Sequence, residues 1–84
     1  MEETKIFTTD EIEKALITNT IIEVIEILEE RGYNAKNQLV GYLISGDPGY
    51  ISSHKEARNK ITKFDRIKIL EILVENFLKW IIWD

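Results

Sequence analysis

The sequence is poor in the residues on which most catalytic and metal sites depend. It has no cysteine and a single histidine among 84 residues. Disulfides, thiolate metal sites and cysteine nucleophiles are therefore excluded, and His54 has no neighbouring nucleophile motif with which to form a catalytic pair. The acidic residues lack EF-hand spacing, and the one glycine-rich stretch, residues 46–49, lacks the lysine of a phosphate-binding loop. We expect no enzyme, no metal and no cofactor.

Long hydrophobic runs are also missing. Glu71, Glu75 and Lys79 interrupt the most apolar segment, so no run approaches the roughly 20 residues that a membrane helix needs. The first residues are acidic, whereas a secretory signal begins with basic ones. We therefore expect a soluble protein without membrane insertion, and the absence of cysteine fits a cytoplasmic location.

What is present indicates a small globular domain. Hydrophobic residues make up 44% and charged residues 31% of the chain, a composition typical of folded proteins. Residues 1–9 show little periodicity, so we expect a flexible tail there and one all-helical domain over residues 10–84. A single domain of this length buries only about 60–65% of its unfolded surface, so a monomer would be marginally stable and a partner chain could supply the missing burial.

Helical periodicity predicts about four helices. Thr20 and Glu23 have capping-box spacing, which predicts a helix over 20–31 that ends at Gly32, with a weaker helical turn or extension over 10–17. Asn37 predicts the start of a second helix over 38–45, and a second capping box, Ser53 with Glu56, predicts a third over 53–63. The last helix is expected over 65–83. Between the second and third helices, Gly46, Asp47 and Pro48 predict a structural turn.

The apolar faces of the first and last of these helices are unusually broad. On the last helix only Lys68, Glu71, Glu75 and Lys79 form a polar face, and nearly every other position is apolar. One neighbouring helix cannot cover so wide an arc. A tight monomer is one solution, and a homodimer is the solution that we favour.

Charge is distributed unevenly along the chain. The net charge is −4, but residues 52–68 hold six basic and two acidic residues, which gives +4 there and −8 elsewhere. Together with the preceding turn, this segment has the outline of a helix-turn-helix. The candidate partner-binding residues are His54, Lys55, Arg58, Asn59 and Lys60.

A helix-turn-helix that reads DNA is one interpretation of this basic segment. The connection over 45–52 is longer than the usual turn of three to four residues, and the whole protein is acidic. Both facts disfavour nucleic acid. A solvated basic face, or a site for an acidic partner, is the interpretation that we favour.

The tail contains three hydroxyl side chains, those of Thr4, Thr8 and Thr9. Threonines in a flexible segment are typical protein-kinase substrates, and a phosphate would add about −1.5 to −2 charges beside Glu2 and Glu3. That charge could dock on the basic segment. Alternatively, Thr8 or Thr9 simply caps a helix.

Between Gly32 and Asn59 the sequence closely resembles the IreB family, small regulatory phosphoproteins of Gram-positive bacteria. The tail element of the family, Thr-x-x-Phe, is matched by residues 4–7. The residues that carry the central resemblance are Gly32-Tyr33-Asn34, Asn37-Gln38-Leu39-Val40-Gly41-Tyr42-Leu43, Ser45-Gly46-Asp47-Pro48, Tyr50-Ile51, His54-Lys55 and Ala57-Arg58-Asn59.

The resemblance implies an all-helical homodimer without catalytic activity. It implies phosphorylation of tail threonines by a membrane-anchored Ser/Thr kinase, reversal by a cognate phosphatase, and a role in cell-envelope stress responses and cephalosporin resistance through an unknown downstream protein. By the Thr-x-x-Phe match, Thr4 is the expected phosphoacceptor. A second family threonine upstream has no counterpart here, so Thr8 or Thr9 would have to replace it.

The chain departs from the family pattern at several positions. Family members often have proline at the position of Ala35 and arginine at that of Ser53. The segment 63–68 is more basic and more apolar than is usual in the family, and the C-terminal residues 80–84 are more hydrophobic than expected. We expect these last residues to extend the dimer interface or to form the wall of a pocket.

Overall fold

The computed structural model describes residues 6–82, and within that range the protein consists of helices and turns without a strand. The prediction of an all-α fold with about four helices is confirmed. The α-helices are α1 (Thr9–Glu30), α2 (Ala35–Ser45), α3 (Ala57–Ile61) and α4 (Arg66–Ile82), with 3₁₀ turns at Pro48–Tyr50 and His54–Glu56. Trp83, the expected end of the last helix, lies outside the described residues.

Helix α1 is one continuous helix, so the prediction of a start near Thr20 was wrong. The capping box forms at Thr8 and Glu11, twelve positions earlier. Thr18, Asn19 and Thr20 cost the helix at most about 0.7 kcal/mol each. Burial of the neighbouring Ile17 and Ile21 outweighs that cost.

The end of α1 is the predicted one. Gly32 adopts a left-handed conformation (φ +85°), and its N–H donates to the carbonyl of Glu29 at 2.9 Å. The N–H of Tyr33 donates to the carbonyl of Leu28, also at 2.9 Å. This pair of bonds is a Schellman motif, which satisfies carbonyls that the helix itself leaves without donors.

Helix α2 begins three residues earlier than the sequence predicted. Asn34 is the cap, and its Oδ1 accepts from the N–H of Asn37 at 3.0 Å, so Asn37 is the residue capped and not the cap. The extra turn is favourable because Ala35 is a strong helix former and is buried in the core. The helix ends at Gly46, whose φ is +77°.

The predicted helix over 53–63 is only partly present. Ser53 makes no capping bond, and Lys55 and Glu56 both have positive φ (+47° and +65°), so regular α-helix starts only at Ala57. The kink lies between Ile51 and Ala57, which are both fully buried. Local propensity does not predict two consecutive left-handed residues that are not glycine.

The core is assembled unequally from the four helices. Helix α1 buries Ile17, Ile21, Val24, Ile27 and Leu28, whereas α4 buries only Ile69 and Ile72. None of residues 73–82 is buried. The radius of gyration is 14.7 Å, against about 12 Å for a compact chain of this length. The second half of α4 therefore extends past the core.

Candidate functional site

Of the three candidate phosphoacceptors, the structure describes two. Thr4 lies outside the described residues. Thr9 is the first residue of α1, and Thr8 is its cap. The Thr8 hydroxyl accepts from the N–H of Glu11 at 3.1 Å and donates to Glu11 Oε1 at 3.0 Å. This hydroxyl therefore already makes two hydrogen bonds that a phosphate would disrupt.

Glu11 completes this cap. Its Oε1 also accepts from the backbone N–H of Thr8 at 3.0 Å. The hydrogen bonds from Thr8, the backbone one first, lower the pKa of Glu11 below its ordinary value of 4.5. The carboxylate, together with Asp10, also lies at the positive end of the helix dipole.

The basic segment over 52–68 lies against the acidic helix α1. Lys55 Nζ contacts Glu30 Oε1 at 2.8 Å, Lys60 Nζ lies 3.3 Å from Glu23 Oε2, and Lys68 pairs with Glu13. The hydrogen bond from Lys55 lowers the pKa of Glu30, and the bond to Glu13 raises the pKa of Lys68. Three of the six basic residues of this segment are thus paired with carboxylates of the same chain.

Two arginines of the segment satisfy backbone carbonyls. Arg58 Nε donates to the carbonyl of Ile51 at 2.8 Å, which closes the turn before α3. Arg66 Nη1 donates to the carbonyl of Leu43 at 3.0 Å and so ties the start of α4 to the end of α2. The guanidinium of Arg66 also covers Gly46, where an added Cβ would lie 2.8 Å from Cζ. Both side chains hold the fold together.

The remaining candidates are placed in the same neighbourhood. His54 Nε2 lies 3.7 Å from Glu30 Oε1, and its backbone N–H donates to the Ser52 hydroxyl at 3.1 Å. Asn59 Nδ2 donates to Glu56 Oε1 at 2.7 Å. The structure thus brings His54 and Lys55 together at Glu30, while Asn59 faces its own turn.

The structural turn is held by its own side chains. Asp47 Oδ1 accepts from the N–H of Gly49 at 2.8 Å, and Pro48 is the first residue of the 3₁₀ turn. The ring of Tyr50 then packs on Gly41, where an added Cβ would lie 2.8 Å from Cε1. Gly41 is thus needed for the close approach of this turn to α2.

Within residues 6–82, no cluster of three or more His, Asp or Glu side chains could hold a metal ion. No helix in that range is long and apolar enough to span a membrane.

The most prominent surface feature is an apolar stripe along α4. Its residues recur at alternating spacings of three and four, which is the pattern of a coiled-coil seam, and all of them are exposed. They are Ile67, Leu70, Val74, Phe77 and Ile81. The rings of Phe77 and Trp80 stack beside the stripe with their centroids 6.4 Å apart. The buried Ile69 and Ile72 lie on a different face, so α4 is apolar on two sides.

Two adjoining apolar clefts lie on the body of the protein. The first, of about 320 Å³, lies between α1, α2 and α4 and is lined by Leu39, Val40 and Leu43. The second, of about 250 Å³, lies between α1 and α4 and is lined by Ile22 and Asn76. Ile25 and Leu73 line both clefts, so the two clefts adjoin, and together they are called the groove. The sequence patterns did not reveal this groove, because it depends on how three helices pack.

Comparison with known families adds what the geometry alone does not provide. The family model described as IreB regulatory phosphoprotein matches residues 2–79 of the chain. The chain belongs to the IreB family. The match confirms the resemblance seen in the sequence, spans every candidate phosphoacceptor, and supports a regulatory role. The hydrophobic C-terminal residues 80–84 lie beyond the IreB match.

Proposed function

We propose that this protein is a non-enzymatic, cytoplasmic regulatory phosphoprotein, modified at Thr4 by a transmembrane Ser/Thr kinase and restored by a cognate phosphatase. The observation that carries the proposal is the match to the regulatory phosphoprotein family, which includes Thr4. Signalling in cell-envelope stress and cephalosporin resistance, through an unknown downstream protein, follows from the family resemblance. A pull-down with phosphorylated and unmodified chain would identify that protein.

The structure supports Thr4 as the phosphoacceptor by what it shows of the other two threonines. The Thr8 hydroxyl takes part in the capping box, and Thr9 lies within α1. A kinase binds its substrate in an extended conformation, so modification of either residue requires the start of α1 to unfold. Thr4 precedes Ile6 and Phe7, which are both exposed.

The test is phosphosite mapping after incubation with the cognate kinase. We expect phosphate on Thr4 in the natural chain, loss of most incorporation in Thr4→Ala, and little change in the matched control Thr9→Ala. Full incorporation in Thr4→Ala would refute the site. The absence of phosphate from every threonine would refute the proposal that the protein is a substrate of this kinase.

We also propose that the protein acts as a homodimer. The support is the exposed apolar stripe of α4, together with the exposed side chains of Ile12 and Leu16 on α1. Monomeric soluble proteins rarely expose a large continuous apolar patch, and such patches mark interaction sites. Sedimentation at micromolar concentration should give twice the monomer mass of 9.9 kDa.

A nucleic-acid-binding function finds less support in the contacts. Lys55 and Lys60 already face carboxylates of α1, and Arg58 donates to a backbone carbonyl. Neutralising phosphates would require these contacts to be exchanged. The α-helix that would read bases spans only Ala57–Ile61. DNA binding at low salt that weakens steeply as salt is added would restore this alternative.

A further inference from the structure

The turn before α3 holds two residues in a conformation that residues with a side chain rarely adopt. Lys55 has a φ of +47° and Glu56 has a φ of +65°. Within residues 6–82, every other residue with positive φ is a glycine. Such a conformation persists only where the surrounding structure holds it. Because the two residues are consecutive, the backbone strain is concentrated in this one turn.

The same residues carry the sequence pattern of an ordinary helix start. Ser53 and Glu56 have capping-box spacing, and α3 begins at Ala57, directly after them. In a capping box, the Ser53 hydroxyl would accept from the N–H of Glu56, and the Glu56 carboxylate would accept from the N–H of Ser53. Ser53 instead makes no capping bond, and Glu56 Oε1 accepts from Asn59 Nδ2 at 2.7 Å. The segment therefore has two competing local structures, and the structure shows the left-handed one.

A contact with α1 stabilises the left-handed turn. Lys55 Nζ lies 2.8 and 3.1 Å from the two carboxylate oxygens of Glu30, and His54 Nε2 lies 3.7 Å from Oε1 of the same carboxylate. The side chains of Lys55 and Glu30 are 57% and 55% exposed. Ion pairs this exposed contribute little to stability and are screened by other ions. A competing anion can therefore replace Glu30 as the partner of Lys55.

The surroundings of the turn allow its side chains to change partners. Ile51 and Ala57 are fully buried, whereas Ser53, Lys55 and Glu56 between them are exposed. These exposed side chains can form new contacts without leaving the core. Helix α3 now has only five residues, and a start at residue 54 would add three more. Each added residue lengthens an existing helix by one hydrogen bond, which is more favourable than starting a new one.

We propose that residues 53–56 form a two-state element that Glu30 controls. In the first state Lys55 binds Glu30 and the turn is left-handed, as in the structure. In the second state Lys55 is released, Ser53 caps α3, and the helix begins at residue 54. An acidic segment of a partner protein that binds Lys55 in place of Glu30 selects the second state. This inference depends neither on phosphorylation of Thr4 nor on the homodimer.

Solution NMR distinguishes the two states. A left-handed residue gives a strong NOE between its own amide proton and its Hα, whereas a helical residue moves its Cα chemical shift above the random-coil value. In the natural chain we expect the left-handed signature at Lys55 and Glu56, with relaxation dispersion confined to residues 53–57. Glu30→Gln should raise the population of the helical state about two- to fivefold. Glu23→Gln removes a different ion pair of α1, so it is the matched control and should leave these signals unchanged.

Two further variants act on one state each. Glu56→Gly tolerates positive φ and lacks the capping carboxylate, so it should abolish the dispersion and lower the equilibrium constant of unfolding at least twofold. Ser53→Ala in the Glu30→Gln background removes the cap of the second state and should return the signals toward those of the natural chain. Random-coil shifts at residues 54–56 in Glu30→Gln, or shifts identical to those of the natural chain, would overturn the second state.

A short peptide of glutamates tests the acidic trigger. Added to the natural chain at low salt, it should move the signals of residues 53–57 in the same direction as Glu30→Gln does. A glutamine peptide of equal length is the control and should have no effect. If millimolar glutamate peptide left Lys55 and Glu56 left-handed, an acidic partner would not be the trigger.

Discussion

Helices α1 and α4 are the two long helices of the protein, and both are rich in apolar residues. Helix α1 buries five of its 22 residues in the core, and α4 buries two of its 17. Helix α1 packs against α2, α3 and α4, whereas the apolar residues of the second half of α4 remain exposed. A hydrophobic pattern thus shows which side chains favour burial. It does not show whether they are buried by the same chain or by a partner.

The largest expected effect on stability comes from a substitution in the core face of α1. Leu28 is fully buried, so Leu28→Ala should lower the free energy of unfolding by about 3 kcal/mol. That is a large share of the stability of so small a domain. Urea unfolding followed by circular dichroism measures the loss. A change below about 1 kcal/mol would contradict the described core.

The matching substitution on α4 should act on assembly. Phe77→Ala removes an exposed ring from the stripe, so we expect the dissociation constant of the dimer to rise at least tenfold. In a dilute sample, where the chain is monomeric, its unfolding free energy should change by less than about 0.5 kcal/mol. Equal losses of monomer stability for Phe77→Ala and Leu28→Ala would contradict the view that α1 forms the core and the second half of α4 an interface.

A smaller effect is expected at the start of α1. Thr8→Ala removes the capping hydroxyl and should cost about 1 kcal/mol. Thr9→Ala is the matched control, because Thr9 lies in the first turn without acting as the cap, and it should cost less than about 0.5 kcal/mol. Thermal unfolding of the two variants compares them. Equal effects would contradict a cap at Thr8.

The smallest effect is a pH dependence carried by the ends of α1. The folded protein lowers the pKa of Glu11 and of Glu30 below 4.5, so both groups stabilise the fold above that pH. Their contribution is lost as the pH falls through the lowered values. The melting temperature should therefore decrease below about pH 4.5 less steeply in Glu11→Gln than in the natural chain. If the melting temperature of both proteins decreased equally with falling pH, Glu11 would make no such contribution.

The sequence predicted the fold class, the stop at Gly32 and the position of α4 because these follow from periodicity and from local turn chemistry. It could not decide between two equivalent capping boxes. Thr8 with Glu11 and Thr20 with Glu23 have the same spacing, and only the packing of the segment between them selects the first. The left-handed conformations of Lys55 and Glu56 could not be predicted either, because tertiary contacts hold these residues in a conformation that local propensity disfavours.

The candidate site was predictable in part. The sequence showed that residues 52–68 are basic and that the first long helix is acidic. It could not show that Lys55, Lys60 and Lys68 meet glutamates of α1, because those pairs join positions 25–55 residues apart. The groove between α1, α2 and α4 could not be predicted for the same reason.

The central claim is that α4 carries an interface that a single chain leaves uncovered. Sedimentation equilibrium of the full chain over nanomolar to micromolar concentration tests it directly. We predict a reversible transition from 9.9 kDa to twice that mass, shifted at least tenfold to higher concentration by Phe77→Ala. A single 9.9 kDa species at every concentration would contradict the account.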